Sequence, residues 1–340
     1  MPVKRAIFDK KNILIVGGAG FIGSHLCDDL VKANKVICLD NFITGADGNI
    51  FHLHANPNFK FINHDIINPI DLEKQAELSD FKIEFQGLQE IYYLASPASP
   101  RAYSRYPIET LLVNSVGVRN CLDLAVKYKA SFLYASSAAV YGDTAAAKSV
   151  AETFVGPSDQ LGPRACYSEA KRFGEALVNN YRLKYDLNTK IVRIFNCYGP
   201  RLMLSDGRMI PELIKEAVEN REIVIYGDQQ SAGSYLFISD LIRALVKMME
   251  SGEAGPVNLA SQWRNTFAEV AQAVIKLTNS QSAIRFDQGD AYLAPQPQAD
   301  ITLAKEKLGW FPIILLEDGL KKTIDYLSAQ EGLREARKIA

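Results

Sequence analysis

Net charge is almost missing from this chain. Its 340 residues hold 38 lysines and arginines against 39 aspartates and glutamates, a balance of −1. Without an excess of either sign there is no long-range field to draw in nucleic acid or an anionic membrane surface, so neither is expected as a partner. Any phosphate that binds must be held by groups placed locally. Cysteine is scarce and scattered. Cys27, Cys38, Cys121, Cys166 and Cys197 are odd in number and lack any CxxC spacing, which argues against a disulfide framework and a zinc site. Reduced thiols in or near a core are the expectation, and no metal is expected. Long apolar runs are also absent. "NILIV" at residues 12–16 is too short for the h-region of a signal peptide, and no segment approaches the roughly 20 apolar residues of a membrane span. A cytoplasmic location is expected. No internal repeat or low-complexity segment is found.

What is present is the composition of a soluble globular protein: 48% hydrophobic and 23% charged residues. The length suits one large or two modest domains. "NILIVGGAGFIGSHLCDDLVKANKVICLDNF" (residues 12–42) opens on an apolar run, passes through a glycine cluster, continues with apolar residues at helical spacing (Phe21, Ile22, Leu26, Leu30) and closes on the apolar run "VICLD". That is a strand–helix–strand unit. The pattern repeats through "FKFINHDI", "EIYYLAS", "TLLVNSVGVRNCLDLAVKY", "SFLYASS", a long helix from about Ser168 to Tyr185, and "KIVRIFN". Alternation of this kind predicts an α/β fold: a Rossmann-type, doubly wound parallel sheet with helices on both faces. After Gly199 helices dominate, among them "MIPELIKEAVEN" and "NTFAEVAQAVIKLT", with "EIVIYG" and "AIRF" as short strands. The expected division is a Rossmann domain over 1–198 and a smaller mixed α/β substrate lobe over 199–340. "FISDLIRALVKMME" and "GPVNLAS", near 236–260, are expected to return to the first domain. The loop-richest stretch is "DQGDAYLAPQPQAD".

"GGAGFIG" spaces Gly17, Gly20 and Gly23 three apart. Gly17 allows the sharp turn out of the strand, Gly20 lets a pyrophosphate approach the backbone, and Gly23 lets helix and strand pack closely. The helix N-terminus offers free N–H groups and a partial positive charge. A glycine trio alone is weak; between a strand and a helix it is credible. Asp40 ends the second strand, 17 residues after Gly23. A carboxylate there accepts from the adenosine ribose hydroxyls and repels a 2′-phosphate, which favours NAD over NADP. Asp65 in "NHDI" is assigned to the adenine side. The cofactor set is completed by Phe21, Ile22, Asn41, Ile66, Leu94, Ala95, Ser96 and Lys171.

"YSEAK" puts Tyr167 and Lys171 four apart, one above the other on a helix. A nearby ammonium favours phenolate and is expected to lower the Tyr167 pKa. A phenol so tuned can take the proton from a sugar hydroxyl. Ser137, at a strand end thirty residues earlier, can hydrogen-bond the same oxygen. Tyr167, Lys171 and Ser137 are the expected catalytic group.

With these motifs the chain resembles the extended short-chain dehydrogenase/reductases that modify nucleotide sugars, over nearly all of its length. "GGAGFIGSHL", "LDNF", "LASPASP", "YGD", "GPRACYSEAKRFGE", "RIFNCYGPR" and "DGRMIPELI" are most similar to the UDP-glucuronate decarboxylase (UDP-xylose synthase) branch. The resemblance implies tightly held NAD, a nucleotide-sugar substrate and a homodimer built through a four-helix bundle. It assigns the base to Tyr167, its partner to Lys171 and the hydroxyl to Ser137. Substrate contacts fall on Ser137, Tyr167, Asn196, Arg201 and Arg208.

The resemblance breaks at three places. The decarboxylases carry an acidic residue two before the tyrosine of "VYG", with a polar residue before it. Here those positions are Ala139 and Ala138, and "SSAAVYG" is closer to the sugar 4-epimerases. An arginine expected in "QSAGSYLFISDL" is replaced by Gly233, and one expected before a late acidic residue by Pro297. Each lost arginine removes a bidentate anion clamp. Arg193, Arg201, Arg208 and Arg264 are the candidate replacements. The expected function is therefore NAD-dependent oxidation at C4 of a nucleotide-diphosphate sugar, by a dehydrogenase or a 4-epimerase. The alternative is UDP-glucuronate decarboxylation through a 4-keto intermediate. A 4,6-dehydratase and a non-catalytic NAD-binding protein are lesser alternatives, the latter because fold does not fix function.

Overall fold

The computed structural model describes residues 9–144, 147, 149–204, 207–226, 231–287 and 298–339. Its centre is a seven-stranded parallel sheet. In chain order the strands are β1 (Asn12–Val16), β2 (Lys35–Asp40), β3 (Phe59–Asn63), β4 (Glu90–Tyr93), β5 (Ser131–Ser137), β6 (Thr189–Ile194) and β7 (Val257–Leu259). Their spatial order is β7-β6-β5-β4-β1-β2-β3. All five residues of β1 are buried, as are the last five of β2, the mark of strands covered on both faces. The order reverses between β1 and β4, which pair in register from Ile13↔Glu90 to Val16↔Tyr93. Ligands of open α/β sheets bind beyond the carboxyl ends of strands at such a switch point. Within "GPVNLAS", Val257–Leu259 pairs in parallel with Val192–Ile194.

Three helices matter for the site. α1 (Phe21–Leu30) follows the glycine cluster directly. α2 (Val118–Tyr128) is reached through the short helix Pro107–Leu112 and a single π turn, Val113–Gly117; π turns are common at functional positions. α3 (Ala165–Tyr185) begins three residues earlier than its sequence pattern suggests, so Tyr167 lies in its first turn.

Two compact units are distinguished. The first comprises residues 9–97, 108–135 and 170–191, and the second 98–107, 136–169 and the described residues from 192 onward. The first has a core of strand residues and α2, with Tyr93, Phe132 and Tyr134 among its largest members. The second holds the helices Met209–Val218, Ile238–Glu250 and Phe267–Thr278. The last is started by a reciprocal cap between Thr266 and Glu269. "EIVIYG" and "AIRF" supply a parallel pair, Ile223–Tyr226 with Ile284–Asp287. Asp240 anchors a long extended segment. Its buried carboxylate accepts from the amides of Ile313 and Ile314 at 2.9 Å each, its carbonyl accepts from Trp310 Nε1 at 3.0 Å, and Arg243 pairs with it. Among the described residues no helix is long and apolar enough to cross a membrane, and no cluster fit to hold a metal ion is found. All five cysteines are free, and only Cys166 is not fully buried.

Candidate active site

The glycine cradle lies in the first unit. Gly17 turns out of β1 at φ +82°, and a Cβ there would sit 2.7 Å from the Ala95 amide nitrogen, so the loop after β1 and the loop after β4 touch backbone to backbone. At Gly23 a Cβ would lie 2.1 Å from the Gly17 carbonyl oxygen, a contact no side chain tolerates. Gly20 is the N-cap of α1, with no side chain capping it and no acidic residue in the first turn. The helix therefore presents its leading amides, Phe21, Ile22 and Gly23 among them, to an anion. This cradle fits a dinucleotide pyrophosphate.

Asp40 is buried at the end of β2. One carboxylate oxygen accepts from the Ala19 amide at 3.0 Å and the other from Phe42 at 2.8 Å. Burial raises its pKa, and these amide bonds oppose the rise. The Asn41 and Gly20 amides also act on this carboxylate. The Asn41 side chain is spent locally, accepting from Ile43 at 3.0 Å. Asp65 lies two residues beyond β3 and accepts from Ile67 at 3.1 Å. The Ile66 side chain is buried in the core, while its carbonyl accepts from Asn120 Nδ2 at 2.9 Å. Leu94, Ala95 and Ser96 follow β4, each half-buried. The Ser96 hydroxyl accepts from Asn114 Nδ2 at 2.9 Å.

The second unit holds the candidate base. Ser137 ends β5 and caps the short turn Ala138–Tyr141, its hydroxyl accepting from the Ala139 amide at 3.2 Å. It also hydrogen-bonds the Tyr167 phenol. Burial raises the Tyr167 pKa; the Ser137 bond and the Arg208 charge pull it back down. The expected net lowering is therefore corrected: exclusion of water outweighs the groups that favour phenolate, and Arg208 is a cation acting on it. Arg208 is itself held by the Ala98 carbonyl at 3.0 Å. The Asn196 carbonyl accepts from Leu236 at 2.7 Å. Arg201 is half-buried at φ +69°.

Sequence reasoning missed Tyr103, whose ring stacks on Tyr167 at 5.2 Å and 14°. Its partner is 64 residues away in the chain, and no local pattern announces such a pair.

Lys171 lies one turn beyond Tyr167 on α3 and is 3% exposed. Its ammonium donates to the Ala135 carbonyl at 2.8 Å and sits 5.0 Å from the centre of the Tyr134 ring. Burial brings its pKa down to about 7, with Glu175 opposing. It is therefore a titrating group near neutrality and not the permanent cation its sequence position suggests.

Gly233 pairs with Asn265 across a two-residue ladder and carries no charge. The Arg264 guanidinium lies 3.5 Å from the Ala232 carbonyl of this ladder. Arg193 is engaged by the Glu152 carbonyl at 2.8 Å and by the Tyr141 ring. Pro297 lies outside the described residues.

Residues 13–260 match the profile of the NAD dependent epimerase/dehydratase family. The chain is 39% identical over 324 residues to UDP-glucuronic acid decarboxylase 1 of Danio rerio, covering 95% of this chain and 74% of that protein. Identity to UDP-glucuronic acid decarboxylase 1 of Arabidopsis thaliana is 37% over 313 residues, covering 92% and 68%. Among solved structures, the UDP-glucuronic acid 4-epimerase of Bacillus cereus in complex with UDP-glucuronic acid and NAD superposes with a TM-score of 0.81 at 29% identity, covering 94% of this chain and 99% of that one.

Proposed function

The chain belongs to the NAD dependent epimerase/dehydratase family and is an NAD-dependent enzyme of the nucleotide-sugar type; from that premise we propose that it oxidises C4 of a UDP-linked sugar. UDP-glucuronic acid is the first substrate to offer, because the decarboxylases and the 4-epimerase above share it in name. The observation that carries the reading is the Tyr167 phenol, hydrogen-bonded by Ser137 and facing the Arg208 charge. The Gly17, Gly20 and Gly23 cradle would hold NAD, which when bound would supply the hydride acceptor for the sugar carbon. Tyr167 takes the proton of the C4 hydroxyl, and Ser137, fixed by the Ala139 amide, holds that hydroxyl in line. Arg208 stabilises the phenolate. Lys171, one helical turn beyond Tyr167 on α3, is assigned to the cofactor.

After C4 oxidation the outcome depends on what acts next. A 4-keto hexuronate is a β-keto acid and loses CO2 readily. A donor must then protonate C5, and Ala138 and Ala139 have none to offer. Return of the hydrogen to C4 or release of the keto sugar is therefore the favoured outcome. Decarboxylation is the second reading, favoured by the near full-length likeness to decarboxylases. A 4,6-dehydratase needs an acid–base pair, and the two alanines supply neither group. Arg264 is proposed as the cation replacing the arginine missing at Gly233. Ile108, Leu111, Leu112 and Phe173 are exposed apolar side chains of the first unit, and we assign them to a homodimer interface.

The test is to incubate the protein with UDP-glucuronic acid and NAD, then follow NADH, CO2 and products by mass spectrometry and NMR. A C4-inverted sugar or accumulating NADH supports the first reading. Efficient release of CO2 with a UDP-pentose replaces it with the second. No turnover on any UDP-sugar rejects both.

A further inference from the structure

The seat of Lys171 is built by one side chain that neither the glycine loop nor the Tyr167–Ser137 pair accounts for. Tyr134, on β5, is fully buried. The Lys171 ammonium lies 5.0 Å from its ring centre, while the next residue, Ala135, supplies the carbonyl that the same ammonium bonds at 2.8 Å. On the helix side the ring is admitted by Gly174: a Cβ there would sit 2.2 Å from the Tyr134 hydroxyl and 2.4 Å from Cζ. The hydroxyl donates to Asn114 Oδ1 at 3.0 Å. Asn114, also buried, donates in turn to the Thr110 carbonyl and to the Ser96 hydroxyl, both at 2.9 Å. One continuous chain of contacts thus runs from Lys171 to the loop after β4.

We propose that Tyr134 is a positioning residue of the candidate site: its ring face holds the Lys171 ammonium in a dry seat, and its hydroxyl, through Asn114, ties that seat to the Ser96 loop. The inference rests on the assignment of Lys171 and Ser96 to the cofactor side of the site. An ammonium taken out of water loses its hydration, and an aromatic face replaces part of it electrostatically. The titratable groups set against Lys171 are Glu175 and Tyr167, each one turn away on its own helix, and Tyr134 from β5. Glu175 opposes the loss of charge, and the ring acts in the same sense. Removing the ring therefore lowers the pH at which Lys171 loses its proton.

The experiment follows the Lys171 side-chain signal by NMR in 13C-lysine-labelled protein with NAD bound, assigned by its loss in Lys171→Arg. Tyr134→Leu is expected to lower the titration midpoint by about half to one and a half pH units. Tyr134→Phe keeps the ring and is expected to leave the midpoint near that of the wild type. It weakens NAD binding several-fold, because Asn114 loses a donor and the Ser96 loop its brace. Gly174→Ala crowds the same ring from the helix and is expected to shift the midpoint in the direction of Tyr134→Leu, with no further shift when the two are combined. An unmoved midpoint in both Tyr134→Leu and Gly174→Ala overturns the proposal, as does an equal shift in Phe and Leu. These titrations need no sugar, so failure of turnover would reject the C4 reading and leave this one standing.

Discussion

The cofactor cradle and the surroundings of the candidate base are built from different materials. The cradle is backbone: Gly17, Gly20 and Gly23 shape it, amides of α1 line it, and the Ala95 amide closes against it. The base is surrounded by side chains: Ser137, Tyr103 and Arg208 act on Tyr167. A pyrophosphate presents the same shape and charge whatever sugar is processed, so a backbone site serves without change. A sugar is recognised through side chains, and these can be exchanged one at a time without disturbing the fold. The difference teaches that backbone shape makes the cradle, while side-chain chemistry makes the surroundings of the base.

The sharpest way to break the contrast is at Tyr167. Tyr167→Phe keeps the ring and its stack on Tyr103 but removes the proton carrier. Turnover is expected to fall on the order of 100- to 10,000-fold, with NAD affinity by calorimetry little changed. Near wild-type turnover would remove Tyr167 from the chemistry. On the cradle side, Gly23→Ala forces a Cβ to 2.1 Å from the Gly17 carbonyl oxygen. NAD affinity is expected to fall roughly ten- to hundredfold, measured by titration, while binding of UDP alone is retained.

Ala139→Glu sharpens the comparison by adding a group at the substrate end. Ala139 is half-buried at the start of the turn that Ser137 caps. With UDP-glucuronic acid, CO2 release is expected to rise about tenfold, a modest part of what a positioned acid contributes. Unchanged release would show that the missing carboxyl does not decide the outcome. The smallest effect falls on stability. Lys171 has a folded-state pKa of about 7 against an ordinary value near 10.4. The folded protein therefore binds fewer protons than the unfolded chain between those pH values, and its stability rises with pH across that window. Lys171→Met removes the buried charge. Without NAD it is expected to raise the melting temperature by a few degrees at pH 6, with the gain shrinking toward pH 10. A gain that does not depend on pH would contradict a buried, titrating ammonium.

Chain-local chemistry was legible before any coordinates. The run "NILIV", the glycines three apart, the carboxylate of Asp40 after "VICL" and the four-residue step from Tyr167 to Lys171 all express periods of two or 3.6 residues, or a turn that only glycine makes. These are properties of neighbouring residues, and the parallel α/β pattern and the glycine turn follow from them. The start of α3 at Ala165 is not marked in the sequence because "GPRAC" carries no helical apolar stripe. Tertiary structure alone decided which groups share a dry environment. It stacked Tyr103 on Tyr167, made Arg208 a cation acting on the phenol, placed Arg264 beside the ladder of Gly233, and sank Lys171 onto Tyr134, where its charge is no longer secure. The physical reason is that pKa values, stacking and anion recognition depend on exclusion of water and on contacts across tens of residues, which no spacing in a sequence records.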